Sequence, residues 1–543
     1  MFKSYVPVAK SRTDQIPQLR CGYYRHMRNP IRRWREGGMM SGSRRTTGAL
    51  LPCVFAAAFS VAVPVAAGEE PATAVTQHRL DLPTGKLAYT AEAGRIAIRD
   101  VETGNAVGHN FYVAYFVRPA GKATRPITFI WNGGPGAPAS SLNFEGAGPR
   151  RIVNGAMIDN ADTWLTDSDL VFVDPVGTGF SRAESKEALT AFTSVVGDVA
   201  AVTEFVRSWL IQHHAQHRPL VIAGQSYGAG RAGSVAFALL KRGFDVRGLA
   251  LISNTSGLPS YDDQPLVSSA MHVADYAVTA LFYKKLPPEY GTTPDAARAN
   301  AERWARETYL PALQRLSDLS ASERRALSEE LARRIGLPAE KIDPETISLT
   351  QGMFLGGIAD SLPYYLDYRF LEPYRHPPLT AGIAHIRDDL GYNSDLPYLG
   401  VEPVEMGFAP SGEYPLPVNT TWLHSTVPGA TPEQIEEAKQ AFAKTGRIGM
   451  YRYGPPLPGA AEAFALNPEM RILVAHGAYD PLGGCSIDAE HARHLPASYK
   501  GKIRFRCYLS GHAIYRDDDP RAGFAGDMRQ LARDATAAPA FRP

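Results

Sequence analysis

The sequence of 543 residues predicts an α/β protein with a central, mostly parallel sheet covered by helices. Two apolar runs, Pro126–Trp131 and Asp169–Asp174, are typical of buried strands, and Val195–Leu210 repeats its apolar residues at helical spacing. A third apolar run, Pro219–Ile222, leads through a glycine-rich turn into a helical pattern at Arg231–Leu240. Because strands and helices alternate, we expect these strands to pair in parallel.

A layer of antiparallel hairpins is expected before this alternation. Its strand-like pieces cover residues 86–90, 95–98 and 110–117, with turn residues at Gly94, Gly104 and Gly108. A further strand is expected at 247–253, and the sheet resumes with strands at 471–475 and 503–509.

The region between these strands has a different pattern. Ala297–Ile335 is charged and helical, and Tyr364–Pro378 is rich in aromatic residues and proline. We interpret residues 259–467 as a large cap insertion over the site, between two parts of the core at 77–258 and 468–543. A separate helical domain is the alternative.

Residues 1–67 have the pattern of a secretory signal: a basic region, an apolar run and small residues ending near Ala67. The basic part is unusually long, which favours a true start at Met39 or Met40. We expect an exported protein, periplasmic or extracellular, without stable membrane association after cleavage. An uncleaved membrane anchor is the alternative, because the run is about long enough to span a bilayer.

The composition is that of an ordinary globular protein. A net charge of +2, with 44% apolar and 21% charged residues, indicates no nucleic-acid partner. Cys21 and Cys53 lie in the segment expected to be removed, which leaves Cys485 and Cys507. In an exported protein this pair is either a disulfide or two small buried hydrophobic residues, and the sequence leaves both open.

The turn after Pro219–Ile222 contains the pattern G-x-S-x-G, with Ser226 at its centre. A strand, a tight turn and a helix in this order expose the serine hydroxyl beside a helix N-terminus. This is the nucleophile elbow of α/β-hydrolases, although a glycine-flanked serine can also be an ordinary turn.

Three other strand ends carry side chains or backbone suited to hydrolysis. Asp480 follows the strand at 471–475, and His512 follows the strand at 503–509. The order serine, acid, histidine along the chain is that of α/β-hydrolases. The glycine-dense loop Asn132–Gly136 brings bare N–H groups to the end of its strand, which suits an oxyanion hole; a plain tight turn is the alternative.

Four motifs together resemble the serine carboxypeptidases, with an exported, bacterial-type member as the nearest description. They are Trp131–Gly136, Asp174–Ser181, Gly224–Tyr227 and Gly511–His512. The resemblance extends from roughly residue 87 to residue 524, with the cap too divergent to compare. It implies an α/β-hydrolase fold.

The resemblance implies a catalytic triad. Ser226 would be the nucleophile, His512 the general base and acid, and Asp480 the residue that orients the imidazole. The N–H groups of Gly134 and Tyr227 would stabilise the tetrahedral oxyanion. Asp174 also ends a strand, but its position before the serine favours a structural role.

By the same resemblance, Asn132 and Gly133 would contact the terminal carboxylate of the substrate, with Glu145 as a further partner. The family usually has glutamate before the nucleophile, and this residue shares a proton with a second glutamate. Here the residue is Gln225. An amide can donate to a carboxylate at any pH, so this departure predicts peptide binding that extends toward neutral pH.

The sequence therefore predicts an exported serine carboxypeptidase that cleaves peptides with a free C-terminus through an acyl-enzyme. No metal or other cofactor is expected. The alternatives are an esterase or acyltransferase on the same scaffold, and a binding module without catalysis. The complete set Ser226, Asp480 and His512 argues against the last of these.

Overall fold

A large mixed sheet organises the structure, a computed structural model. It describes residues 71–118, 125–254, 258, 265–359, 363, 366–371, 379–400, 422 and 457–542. In chain order the strands in these residues are β1 Ala74–Leu82, β2 Gly85–Arg99, β3 Ala106–Phe116, β4 Ile127–Trp131, β5 Arg150–Val153, β6 Ala156–Asp159, β7 Asp169–Val173, β8 Arg182–Ala183, β9 Leu220–Gln225, β10 Val246–Ile252, β11 Arg471–Gly477 and β12 Ile503–Tyr508.

The strand order confirms the predicted fold class. The order is β1-β2-β3-β7-β4-β9-β10-β11-β12, with β8 paired to β3, while β5 and β6 form a separate hairpin. Strands β1, β2, β3 and β7 pair antiparallel, and from β7 to β12 all neighbours are parallel. Strands β4, β7 and β9 are buried along their whole length, as expected where helices cover both faces. The chain has the α/β-hydrolase fold.

Helices pack on both faces of this sheet and in the segment between β10 and β11. In the described residues they are α1 Lys186–Phe192, α2 Val195–Gln212, α3 Tyr227–Lys241, α4 Pro265–Phe282, α5 Pro294–Trp304, α6 Leu310–Gln314, α7 Ala321–Arg334, α8 Gln351–Ile358, α9 Thr380–Ala384, α10 Ala460–Leu466, α11 Cys485–His494 and α12 Asp518–Ala537. Phe205 and Trp209 of α2 pack with Leu239 of α3 in one apolar cluster. Phe524 and Met528 of α12 belong to the cluster on the other face.

The first antiparallel layer differs from the prediction at Gly94. The expected turn there is wrong, because β2 runs without interruption through this residue. The turn expected at Gly108 is wrong as well, because this residue lies inside β3. The hydroxyl of Thr73 lies 2.7 Å from the position that a Cβ atom of residue 94 would occupy. Gly94 therefore allows close packing inside a strand. In the sequence alone, such a glycine cannot be distinguished from one that marks a turn.

The segment between β10 and β11 has two parts. Helices α4 to α8 surround an apolar cluster of their own, in which the rings of Tyr276 and Phe354 stack at 4.2 Å. Other parts pack against the main sheet: Tyr392 contacts Phe111 and Phe180, and helix α10 packs on α3. Within the described residues, the segment between β10 and β11 packs partly on itself and partly on the main sheet, and its interpretation as a cap insertion stays a prediction.

Cys485 and Cys507 are joined in a disulfide, with 5.4 Å between their Cα atoms. The bond connects the first residue of α11 to β12. The bond closes a loop of residues 485–507. This loop makes up most of the chain between Asp480, the predicted acid, and His512, the predicted histidine.

Some predictions fall outside the described residues. They are the signal segment 1–67 and most of the aromatic stretch 364–378. None of the helices in the described parts of the chain is both long and apolar enough to cross a membrane.

Candidate active site

Ser226 occupies a sharp turn between β9 and α3. Its backbone angles are φ 59° and ψ −130°, outside the conformations that non-glycine residues favour. A Cβ atom at residue 224 would lie 1.8 Å from the carbonyl oxygen of Gly228. The turn therefore requires glycine at position 224, because strand and helix approach each other too closely for a side chain.

The glycine loop after β4 lies directly against this turn. A Cβ atom at residue 133 would be 2.5 Å from the oxygen of Gln225, 2.7 Å from the nitrogen of Tyr227 and 2.9 Å from the Cβ of Ser226. The indole nitrogen of Trp131 also donates to the oxygen of Gly228 at 2.8 Å. The structure thus brings the loop that contains Gly134 beside the N–H of Tyr227.

Asp480 and His512 lie together at the ends of neighbouring strands. The imidazole Nδ1 is 2.8 Å from Oδ2 of Asp480, and the carboxylate is fully buried. The other carboxylate oxygen accepts from the backbone nitrogen of Leu482 at 2.9 Å. These contacts fix the orientation of the carboxylate and, through it, of the imidazole ring.

The histidine segment is also attached to the serine turn. The backbone oxygen of His512 accepts from Nε2 of Gln225 at 2.9 Å and from Oγ of Ser253 at 2.7 Å. Since Ser226 follows Gln225 directly, these bonds hold the serine turn and the histidine loop against each other. Ser226, Asp480 and His512 follow β9, β11 and β12, which are parallel members of one sheet, so all three lie at the same edge.

The insertion contacts both loops that carry the predicted acid and base. The backbone nitrogen of His512 donates to the oxygen of Leu366 at 2.9 Å. The nitrogen of Tyr368 donates to the oxygen of Tyr479, one residue before Asp480, at 3.0 Å. The placement of these loops therefore depends on the insertion as well as on the sheet.

The residues predicted for carboxylate binding form a buried network. Nδ2 of Asn132 donates to Oε1 of Gln225 at 2.6 Å, and the hydroxyl of Tyr515 donates to the same oxygen at 3.0 Å. Burial raises the pKa of Tyr515 to about 12, so this hydroxyl stays protonated and neutral. Sequence reasoning missed Tyr515, although it lies only three residues after His512.

Glu145 forms an ion pair beside this network. Its Oε2 accepts from Nε of Arg516 at 3.0 Å, and both side chains are largely buried. Glu145 lies in the helical segment Leu142–Ala147, which follows the glycine loop. The contact of Glu145 with substrate stays a prediction, and the structure adds a cation, Arg516, that no sequence motif indicates.

A second ion pair, which the sequence did not predict, holds the backbone of the glycine loop in place. Nε of Arg231 donates to Oδ2 of Asp198 at 2.6 Å, with both side chains almost completely buried. Arg231 also donates to the backbone oxygen of Asn132 at 3.0 Å, and Tyr227 donates to Asp198 at 3.2 Å. An arginine within an otherwise apolar helix face is the sequence signal that marks such a pair.

A buried histidine lies close to the predicted acid. Nδ1 of His476 pairs with Oδ2 of Asp488. Burial alone would lower the pKa of His476, but the Asp488 carboxylate raises it to about 9, and the charge of Asp480 adds to this effect. The resulting imidazolium offsets part of the negative charge that is buried around Asp480.

Asp174, the other acid at a strand end, is hydrogen-bonded to framework residues, whereas His512 is paired with Asp480. Its Oδ1 accepts from the backbone nitrogen of Ala139 at 2.7 Å, and its backbone oxygen accepts from Asn110 and Ser181. Burial raises the pKa of Asp174 to about 7, although the hydrogen bond from Ala139 opposes this shift. These contacts tie the end of β7 to its neighbouring segments, which suits a structural role for Asp174.

Comparison with known protein families finds a match to the central part of the chain. The sequence model of the serine carboxypeptidase family matches residues 92–242. This region resembles the serine carboxypeptidase family. It includes the glycine loop, the serine turn and the Arg231–Asp198 pair, and the predicted resemblance to that family is confirmed.

Curated proteins that are similar to this chain match it over short spans. A serine carboxypeptidase-like 9 protein of Arabidopsis thaliana is 31% identical over 153 residues, which is 26% of this chain and 33% of that protein. A pheromone-processing carboxypeptidase of Neurospora crassa is 29% identical over 179 residues, 32% of this chain and 26% of that protein. The matches thus span about a third or less of these curated relatives.

A solved structure of the prohormone-processing carboxypeptidase Kex1 from Saccharomyces cerevisiae also resembles the chain. The identity is 14%, the TM-score is 0.45, and the match covers 82% of this chain and 91% of that structure. The strand order of the chain itself carries the α/β-hydrolase fold.

The buried Asp174 predicts a specific pH dependence of stability in this protein. Its pKa is about 7 in the folded protein against an ordinary 3.8, so the folded state keeps a proton that the unfolded chain loses. This contribution to stability is complete below about pH 4 and is lost as the pH rises toward 7. Asp174→Asn should therefore raise the thermal midpoint relative to wild type at pH 7.5 but not at pH 4.

Differential scanning fluorimetry between pH 4 and pH 8 measures this difference. Asp169→Asn is the matched control, because Asp169 begins the strand that Asp174 follows and is paired with Arg125 and Arg218. The control should lower the midpoint at pH 7.5. A difference between Asp174→Asn and wild type that stays constant across the range would contradict the assignment.

The contacts of Gln225 predict how a glutamate would behave there. In Gln225→Glu one oxygen can accept from Asn132 and Tyr515, but the other faces the backbone oxygen of His512 and must carry a proton to donate. Burial and this contact raise the pKa of the introduced carboxyl. Relative to wild type, kcat/KM of the variant should be nearly unchanged at pH 5 and fall by about tenfold or more by pH 7.5, as the carboxyl ionises.

The measurement is the ratio of kcat/KM for variant and wild type at each pH, with a peptide that has a free C-terminus as the substrate. Gln225→Met is the control, because it loses the hydrogen bonds without gaining a titrating group. Its ratio should be low at every pH. Equal pH profiles for Gln225→Glu and Gln225→Met would exclude the proposed protonation.

Proposed function

We propose that this chain is a serine carboxypeptidase that removes C-terminal residues from peptides through an acyl-enzyme. The observation that carries the proposal is the contact between Asp480 and His512 at 2.8 Å, in a loop tied by hydrogen bonds to the serine turn. An imidazole oriented by a buried carboxylate, in a loop bonded to the turn of a strained, glycine-flanked serine, supports nucleophilic catalysis. The family of residues 92–242 supports peptides as the substrate class.

The proposed mechanism begins with proton transfer. His512 accepts the hydroxyl proton of Ser226 as the oxygen attacks the carbonyl carbon of the last peptide bond. The imidazolium is stabilised by Asp480, and it then donates the proton to the departing amino group. Water, activated by the same imidazole, attacks the acyl-enzyme and releases the shortened peptide.

The tetrahedral intermediate carries a negative oxygen that needs hydrogen-bond donors. We assign this role to the N–H groups of Gly134 and Tyr227, supported by the close approach of the glycine loop to the nitrogen of Tyr227. The N-terminal end of α3 adds a favourable dipole at this point. Losing one such donor costs about 3 kcal/mol in other serine hydrolases.

We also propose that the protein is exported. The pattern of residues 1–67 supports a cleaved signal, and the disulfide between Cys485 and Cys507 supports an oxidising compartment. Peptides with a free C-terminus are the proposed substrates in that compartment, and no cofactor is needed for the mechanism above.

Substitutions in the triad test the catalytic assignment. Ser226→Ala and His512→Ala should each lower kcat by about 10⁴-fold or more, and the double variant should be little worse, because the groups act as a unit. Asp480→Asn should also be severe, since the imidazole would hold the wrong tautomer. Asp174→Asn is the matched control and should keep its activity.

The readouts are labelling of Ser226 by a fluorophosphonate probe and hydrolysis of a peptide with a free C-terminus compared with its amide. A preference for the free acid of at least tenfold supports a carboxypeptidase. Probe labelling and ester hydrolysis without that preference would favour an esterase or acyltransferase. Additive losses in the double variant would overturn the triad.

The export proposal predicts a mature protein that begins near Gly68 and contains oxidised cysteines. Intact-mass measurement of the protein recovered from outside the cytoplasm gives both quantities, since a disulfide lowers the mass by about 2 Da relative to two thiols. Recovery of a chain that retains residues 1–67 in the membrane fraction would instead support the anchor interpretation.

A further inference from the structure

The ion pair between Arg516 and Glu145 joins two functional segments of the site. Arg516 ends the short helical turn Ile514–Arg516 that follows His512, and Glu145 lies in the helical segment that follows the glycine loop. The two groups approach to 3.0 Å, and their side chains are 14% and 10% exposed. The pair is therefore largely shielded from solvent, but both side chains keep a small exposed fraction.

The pair lies within electrostatic reach of the network around Gln225. Tyr515, the neighbour of Arg516, donates to Gln225 and lies 3.4 Å from Nδ2 of Asn132. The charge of Arg516 lowers the pKa of Tyr515 against the larger effect of burial, and the charge of Glu145 raises it. Both charges thus act on the hydroxyl that connects the two amides predicted to contact the substrate carboxylate.

The neutral donors and acceptors of this network are mostly engaged in hydrogen bonds with one another or with the backbone. Asn132 donates to Gln225, and Gln225 donates to the backbone of His512. A substrate carboxylate that enters beside them also meets the negative charge of Glu145. Two carboxylates at close range repel unless a cation lies between them or one takes up a proton.

We propose that Arg516 is the residue that recognises the terminal carboxylate of the substrate, and that Glu145 is a positioning residue that holds the guanidinium in place. The inference rests on the proposed carboxypeptidase function and specifies the charge that selects its substrates. A guanidinium presents its donors in a planar fork that matches a carboxylate, and it stays charged without a shared proton. Glu145 fixes the fork by accepting from Nε.

Kinetics on a matched pair of substrates tests this role. Arg516→Gln should raise KM for a blocked peptide with a free C-terminus by about 10- to 100-fold, with kcat changed less than threefold. For the same peptide as its C-terminal amide, kcat/KM should change less than threefold. Glu145→Gln should raise KM for the free acid by a smaller factor, because the cation remains but loses its fixed orientation.

Two further variants separate this role from a structural one. Arg516→Lys keeps the charge and can still pair with Glu145, so it should fold even where Arg516→Gln does not; KM for the free acid alone should rise about fivefold, because the planar fork is lost. Arg521→Gln breaks the ion pair with Asp162 five residues further along. It should affect both substrates equally.

Three outcomes decide the question. A wild-type enzyme that cleaves acid and amide equally well would overturn the carboxypeptidase function, and the role of Arg516 with it. A wild type that prefers the acid, with Arg516→Gln and Arg516→Lys retaining the full preference, would overturn the role of Arg516 alone. A selective rise of KM for the acid in both variants supports the proposal.

Discussion

The site depends on one close approach, the packing of the Gly133 backbone against the turn at Ser226. A single added carbon at residue 133 would lie 2.5 Å from the Gln225 oxygen and 2.7 Å from the Tyr227 nitrogen, closer than non-bonded atoms tolerate. Because these segments come from different strands, their contact fixes the glycine loop relative to Ser226, the proposed nucleophile. The positions of the proposed oxyanion hole and of the proposed carboxylate subsite both depend on it.

A buried ion pair maintains that approach. Arg231 and Asp198 come from α3 and α2, and the arginine also holds the backbone oxygen of Asn132 at 3.0 Å. Removing one partner of a buried pair leaves an uncompensated charge and typically costs about 3–5 kcal/mol. The helices on one face of the sheet thus hold the loop at its edge in place, which links packing in the core to geometry at the site.

Much of the fold was predictable because its signals are local. Continuous apolar runs identified β4, β7 and β9, and the glycine pattern identified the turn at Ser226. The prediction failed at Gly94, where glycine permits contact with Thr73 inside a strand. Local patterns do not distinguish a glycine needed for a turn from one needed for close packing, since the neighbour is not adjacent in sequence.

The sequence by itself determined the fold class, the family of the central motifs, and serine, acid and histidine as candidates, because each follows from a short motif at the end of a strand. Only the tertiary structure decided which charges meet. The pairs Arg231–Asp198 and Arg516–Glu145 join residues 33 and 371 positions apart. Electrostatic partners are chosen by distance in space, and no sequence spacing specifies that distance before the sheet has brought its strand ends together.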